Sequence, residues 1–308
     1  MKKKFILSKF FLPINVFPSI LVFSLCLLSH NLHAEQQIFS KDTSLTGEFI
    51  QGGLVIGRTI PESRVTYDKQ EIRVSPAGNF VIGFNRDEPK SVIIKVITPD
   101  GAEIIKELHV KQRDYKIQRI DGLPKSKVSP EKPEILARIR KEGAQAAQAR
   151  KRNDARSDYL ETFIWPTTGA ISGVYGSQRV LNGKPRRPHF GVDVAAPAGT
   201  EVLAPASGVI TLANPDMFFS GGTIILDHGH GLSSTFLHLS KLLVKSGDVI
   251  KQGDLLARVG ATGRVTGAHL DWRMNLFQRR VDPQLLVPPM IVTTTQKPNQ
   301  IPIKENVH

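Results

Sequence analysis

The chemistry-bearing residues of this chain begin with His189-Phe190-Gly191-Val192-Asp193, which carries an imidazole at one end and a carboxylate at the other. Gly191, Val192 and Val194 disfavour a helix and predict an extended strand. Side chains alternate faces along a strand, so this even spacing places His189 and Asp193 together. Such residues can share a zinc ion, or they can form an ordinary surface hydrogen-bonded pair. The segment His269-Leu270-Asp271-Trp272 repeats the pattern, with His269 and Asp271 on one face and Leu270 on the other. A third element, Phe236-Leu237-His238-Leu239, is expected to alternate likewise and to present His238 among apolar neighbours. Five of the nine histidines fall between His189 and His269, and three such elements in one β-rich segment are harder to dismiss than a single pair. His228-Gly229-His230 is a literal His-x-His, yet its glycines and its place between two strands predict a turn.

Around these residues glycine and proline divide the sequence into short β-forming runs: Gly169 to Tyr175, Gly191 to Val194, Glu201 to Leu203, Gly208 to Leu212, Gly222 to Asp227, Ser234 to Leu239, Val249 to Ile250, Leu255 to Val259 and His269 to Leu276. None has the period or length of a long helix, so residues 159–287 are expected to form an all-β domain. Upstream, Phe49 to Ile56, Val65 to Val74, Phe80 to Phe84, Val92 to Ile97, Glu103 to Val110 and Tyr115 to Ile120 predict a β-sandwich over residues 35–123. Its pattern resembles immunoglobulin-like domains, and without a His, Asp and Glu cluster it reads as a spacer or recognition module. Residues 124–158 are rich in Lys, Arg, Glu, Ala and Gln and predict a basic helical linker. Pro133 suits its first turn, and Ile135, Leu136 and Ile139 make a small apolar stripe. The basic run Arg150 to Arg156 could contact an acidic polymer or be a solvated face. The tail, residues 288–308, is polar and contains prolines, and is expected to be poorly ordered.

Lys2, Lys3, Lys4 and Lys9 precede an apolar run through Leu28 and a short stretch ending in Ala34, the order of a signal peptide cleaved after Ala34. The alternative is a retained anchor, since Phe10 to Leu28 is nearly long enough to span a bilayer. Cys26, preceded by bulky Leu25, is the only cysteine. Cleavage would leave none, so a bound metal must use nitrogen and oxygen ligands, and a cysteine nucleophile is excluded. The formal charge is +13 and stays strongly positive without the four signal lysines. An exported basic chain favours an anionic wall polymer or membrane surface; no aromatic-interleaved basic motif points to nucleic acid. No cell-wall sorting signal or targeting repeat is visible in the sequence, and the periplasm is the expected compartment.

From about Phe163 to Pro283 the sequence resembles the LytM or lysostaphin-like zinc endopeptidases, peptidase family M23. The resemblance rests on His189-Phe190-Gly191-Val192-Asp193-Val194-Ala195-Ala196-Pro197-Ala198-Gly199-Thr200, Ala204 to Ile210, Asp227 to Leu232, His238-Leu239, Gly260 to Gly263, and Thr266 to Leu270. It implies a mostly β, antiparallel peptidase domain, with His189 and Asp193 as zinc ligands and with His238 and His269 flanking the reacting water. One position departs: where the family carries a second histidine as third ligand, this chain has Asp271. Aspartate can ligate zinc, but a second carboxylate is expected to reduce Lewis acidity, and its shorter side chain needs a closer backbone. The resemblance therefore implies a zinc-dependent hydrolase of peptidoglycan peptides, with a catalytically inactive activator of a cell-wall amidase as the alternative. The loop Asn182 to Pro188, with Lys184, Arg186 and Arg187, either grips a stem-peptide carboxylate or is a solvated turn.

Overall fold

A computed structural model describes residues 34–120 and 132–290. The segment before Ala34 that was expected to be a signal peptide, the first part of the linker and the tail beyond 290 lie outside the described residues. The first eight strands make two four-stranded layers. One comprises β1 (Glu35–Ser40), β2 (Thr43–Gly47), β3 (Leu54–Arg58) and β6 (Asn79–Gly83), hydrogen-bonded in that order. The other comprises β5 (Gln70–Ile72), β4 (Arg64–Tyr67), β7 (Ser91–Ile97) and β8 (Glu103–His109). Alternation builds the core between them: Val65 and Tyr67, Phe80 and Ile82, Ile94 and Val96 all turn inward and are buried. Val65 to Val74, expected as one strand, is a hairpin whose turn residues Asp68 and Lys69 have φ of 48° and 60°. Left-handed residues match the strand twist of a tight hairpin, and no glycine advertises the turn.

The helix α1 (Pro133–Ala149) begins with Pro133 in its first turn and has no fully buried residue. It is tied to a strand edge through Arg138 Nη2, which donates to the Asp216 carbonyl at 2.6 Å, and through Glu142, whose carboxylate accepts from Phe218 N at 2.8 Å. Strand β9 (Ile117–Ile120) runs parallel to β11 (Gln178–Leu181), which turns back into β12 (Lys184–Pro185). Strand β9 lies within the expected run Tyr115 to Ile120, but β11 and β12 were not expected, because they are too short and polar to stand out from loop.

The remaining sheet has ten strands. Its path runs β10 (Ala170–Gly173), β13 (Val192–Ala195), β20 (His269–Leu276), β17 (Leu232–Leu242), β16 (Gly221–Asp227), β15 (Gly208–Met217) and β18 (Val249–Ile250). Strands β14 (Glu201–Leu203) and β19 (Leu255–Val259) pair with each other, β19 also joins β17, and β21 (Arg279–Val281) joins β20. Strand β15 continues past the expected end at Leu212 through Pro215, which sits where the register shifts between Asn214 and Met217. A bulge tolerates proline because no ladder donor is required there. Val192, Val194, Leu270, Trp272 and Met274 face the larger core. Leu54 and Val81 from the first layer join that same core beside Val281, and the described residues belong to one compact unit.

Candidate metal centre

Strands β13 and β20 are antiparallel neighbours in which Asp193 lies opposite Asp271 and Ala195 opposite His269. Because Val192, Val194, Leu270 and Trp272 are committed to the core, alternation turns Asp193, His269 and Asp271 to the other face. His189 enters from the extended segment before β13, held by His189 N donating to Ser177 O at 2.8 Å and Gly176 N donating to His189 O at 2.7 Å. The structure thus brings together the three expected ligands: His189, Asp193 and Asp271 each present one ligand atom within 4.8 Å of the others. His189 Nε2 lies 3.2 Å from Asp193 Oδ1. Both atoms are buried and neither has a hydrogen-bond partner. Facing, desolvated ligand atoms left without partners fit a cation between them, and one nitrogen with two oxygens is a donor set zinc accepts. Burial pulls the His189 imidazole down, but the carboxylates of Asp193 and Asp271 outweigh it and hold its pKa above the ordinary value.

Asp271 is only 2 % exposed, and Arg273 engages both of its oxygens, with Nε donating to Oδ1 at 2.9 Å and Nη2 donating to Oδ2 at 2.5 Å. Burial would raise this carboxyl, but the Arg273 charge and hydrogen bonds hold it below the usual range, so it stays ionised. The guanidinium two residues along the strand supplies a countercharge to this second carboxylate. Close backbone approach shapes the same pocket. A Cβ on Gly173 would meet Asp193 Oδ2 at 2.1 Å, and one on Gly191 would meet Asp271 Oδ1 at 2.6 Å.

His238 does not follow simple alternation. Phe236 is in the core and Leu237 lies opposite Asp271, so a regular strand would send His238 toward the core. Instead its φ is 65°, the ladder to β16 shifts there, and the ring turns to lie 4.9 Å from that of His269. Its Nδ1 bonds Thr262 O at 2.9 Å, and His269 Nδ1 bonds Gly267 O at 2.9 Å. A carbonyl can only accept, so both Nδ1 atoms carry the proton and both Nε2 atoms keep a lone pair. Burial, with help from neighbouring His269, pushes His238 below its ordinary pKa and favours the neutral base.

His228 and His230 stand apart from this group. His228 is fully buried, bonded to Ser207 O at 2.7 Å and Ser234 Oγ at 2.9 Å, and its pKa is pushed down to about 4 by burial. His230 packs on Tyr159 with ring centroids 4.5 Å apart. Phe236 is core packing. Arg273, Thr262 and Gly173 were not singled out from the sequence; only Arg273, at i+2 from Asp271 on a predicted strand, could have been found by spacing.

The fold and site together define an antiparallel β-sheet protein with a candidate metal centre. The sequence model of peptidase family M23 matches residues 187–283. A crystal structure described as a peptidase M23 from Pseudomonas aeruginosa is 30% identical, with 78% of this chain and 95% of that chain covered and a TM-score of 0.61. An uncharacterized metalloprotease of Haemophilus influenzae is 39% identical over 97 residues, 32% of this chain and 20% of that protein. The peptidoglycan DD-endopeptidase ShyA of Vibrio cholerae is 34% identical over 110 residues, 36% of this chain and 25% of that protein. The chain thus spans no more than a quarter of the length of these two curated relatives. This chain belongs to peptidase family M23.

Proposed function

We propose that the chain is a zinc-dependent endopeptidase that hydrolyses stem or crosslink peptide bonds of bacterial peptidoglycan, exported to the periplasm by its N-terminal segment. The observation that carries this reading is the pair of buried, facing ligand atoms without a hydrogen bond, His189 Nε2 and Asp193 Oδ1, 3.2 Å apart beside Asp271. Relatives named as peptidoglycan DD-endopeptidases support the substrate class. His189, Asp193 and Asp271 would hold the ion. Zinc, when bound, supplies a Lewis acid that polarises the scissile carbonyl and acidifies water near neutral pH.

The chain's own residues do the rest. Arg273 fixes the orientation and charge of Asp271, as an outer partner commonly does for a ligand. The Nε2 lone pairs of His238 and His269 take the proton of the attacking water and pass it to the leaving amine. Thr262 O and Gly267 O keep both rings in the tautomer this requires.

Zinc content and muropeptide release from purified sacculi test the proposal. Wild type should contain about one zinc per chain and release muropeptides. His189→Ala should lose both while its melting curve remains cooperative, because strand packing is untouched. Release by the His189→Ala variant at the wild-type rate would overturn the zinc mechanism.

A further inference from the structure

On the same face as the metal centre, farther along β20, donors outnumber acceptors. Ser233 on β17 lies opposite Asn275 on β20, and Thr235 lies opposite Arg273. Ser233 and Asn275 are 1 % and 0 % exposed, and neither Ser233 Oγ nor Asn275 Nδ2 has a hydrogen-bond partner. Arg280 donates through Nη1 to Asn275 Oδ1 at 3.1 Å, with its guanidinium 5.6 Å from the Phe190 ring. Arg150, at the end of α1, donates through Nη2 to Thr235 Oγ1 at 3.2 Å, while its buried Nε has no partner. Among the described residues neither Arg150 nor Arg280 pairs with a carboxylate, and Arg273 pairs only with Asp271.

Three guanidinium groups around a floor of unpartnered buried donors are costly unless something negative sits among them. Burial and the charges of Arg280 and Arg273 push Arg150 down to about 9, and burial with Arg273 and Arg187 pushes Arg280 down to about 10. Arg187 belongs to the loop singled out in the sequence, but the stronger cluster lies beyond it. The three arginines are partly open to solvent while Ser233 and Asn275 are closed off beneath them in the sheet.

We infer that Arg150, Arg273 and Arg280, over Ser233 and Asn275, form a carboxylate-binding subsite that takes a carboxylate of the substrate peptide. A guanidinium binds a carboxylate through two parallel hydrogen bonds, and the unpartnered hydroxyl and amide donors complete its oxygens. From Asp271 to Asn275 the strand advances about 13 Å, the reach of three to four extended peptide residues. A carboxylate seated here fixes the register of the peptide across the metal centre. This inference rests on the proposed peptidoglycan function.

The experiment measures binding apart from hydrolysis. Calorimetric titration of the zinc-stripped full chain would compare a stem peptide having free carboxylates with its amidated counterpart, for wild type, Arg150→Gln and Arg280→Gln. Melting curves with acetate and with inorganic phosphate run alongside and verify that each variant folds. The free-acid peptide should bind wild type about tenfold tighter than the amidated one, and either variant should erase the difference. Equal binding of the two peptides by wild type would overturn the subsite. So would stabilisation by acetate or phosphate without peptide discrimination, which would mean a structural anion only. Discrimination in a protein that cuts no sacculi would leave the subsite standing and refute the hydrolase reading instead.

Discussion

At the scale of residues, the site works as a set of coupled charges rather than a list of ligands. Asp271 stands where the resemblance implies a neutral histidine, and Arg273, bonded to both its oxygens, returns the pocket to the charge that histidine would give. Asp271→His is therefore not a simple restoration, because it leaves Arg273 beside the centre without the carboxylate to which it is bonded. The single variant should melt earlier, by roughly 3 kcal/mol at most for a partly solvated guanidinium, and should hold zinc more weakly than wild type. Asp271→His combined with Arg273→Gln should recover much of both losses. Competition titrations with a zinc chelator and thermal melts check this. Equal or tighter zinc binding by the single variant would show that Arg273 does not balance Asp271.

At the scale of elements, the paired strands β13 and β20 set the face and β10 sets the clearance. Gly173 has no Cβ because Asp193 occupies that space, with Cγ 2.7 Å and Cβ 3.0 Å from where one would be. Those atoms are near the backbone and cannot swing away, so Gly173→Ala should displace the carboxylate and lose zinc at a stability cost of about 1–3 kcal/mol. A wild-type zinc stoichiometry in Gly173→Ala would refute the cradle. Much of this was legible in the sequence: period-2 alternation alone puts Asp193, His269 and Asp271 on one face, since Val192, Leu270 and Trp272 must go inward. His238 was not, because one left-handed residue reverses its direction and no glycine or asparagine signals it. The Asp68-Lys69 turn was hidden for the same reason. The parallel pairing of β9 with β11 joins distant segments whose polar strands carry no hydrophobic period.

At the scale of the whole molecule, the sandwich and the large sheet are joined by charges buried where they meet. Arg113 Nη1 donates to Asp282 Oδ2 at 2.8 Å, and Asp282 N donates to Gly52 O at 2.7 Å, so one short loop beside β21 is tied to residues before β3 and after β8. Asp282 is 1 % exposed and also accepts from Gln284 N at 3.0 Å. Burial raises its pKa above the usual carboxylate value, and Arg113 offsets only part of that rise. In Arg113→Ala the carboxylate is left buried without its cation, and its folded pKa climbs further. The unfolded chain releases this proton near pH ~4, so the penalty is absent below that value and grows as pH rises through it. Arg113→Ala should lose about 3 kcal/mol at pH 7 and far less at pH 4, and adding Asp282→Asn should restore part of the loss at pH 7. Denaturant unfolding at the two pH values measures the difference. A loss of equal size at both would mean that Arg113 acts through packing on Tyr115 and Tyr175, whose rings lie 5.4 and 5.6 Å from its guanidinium, and not through the charge of Asp282.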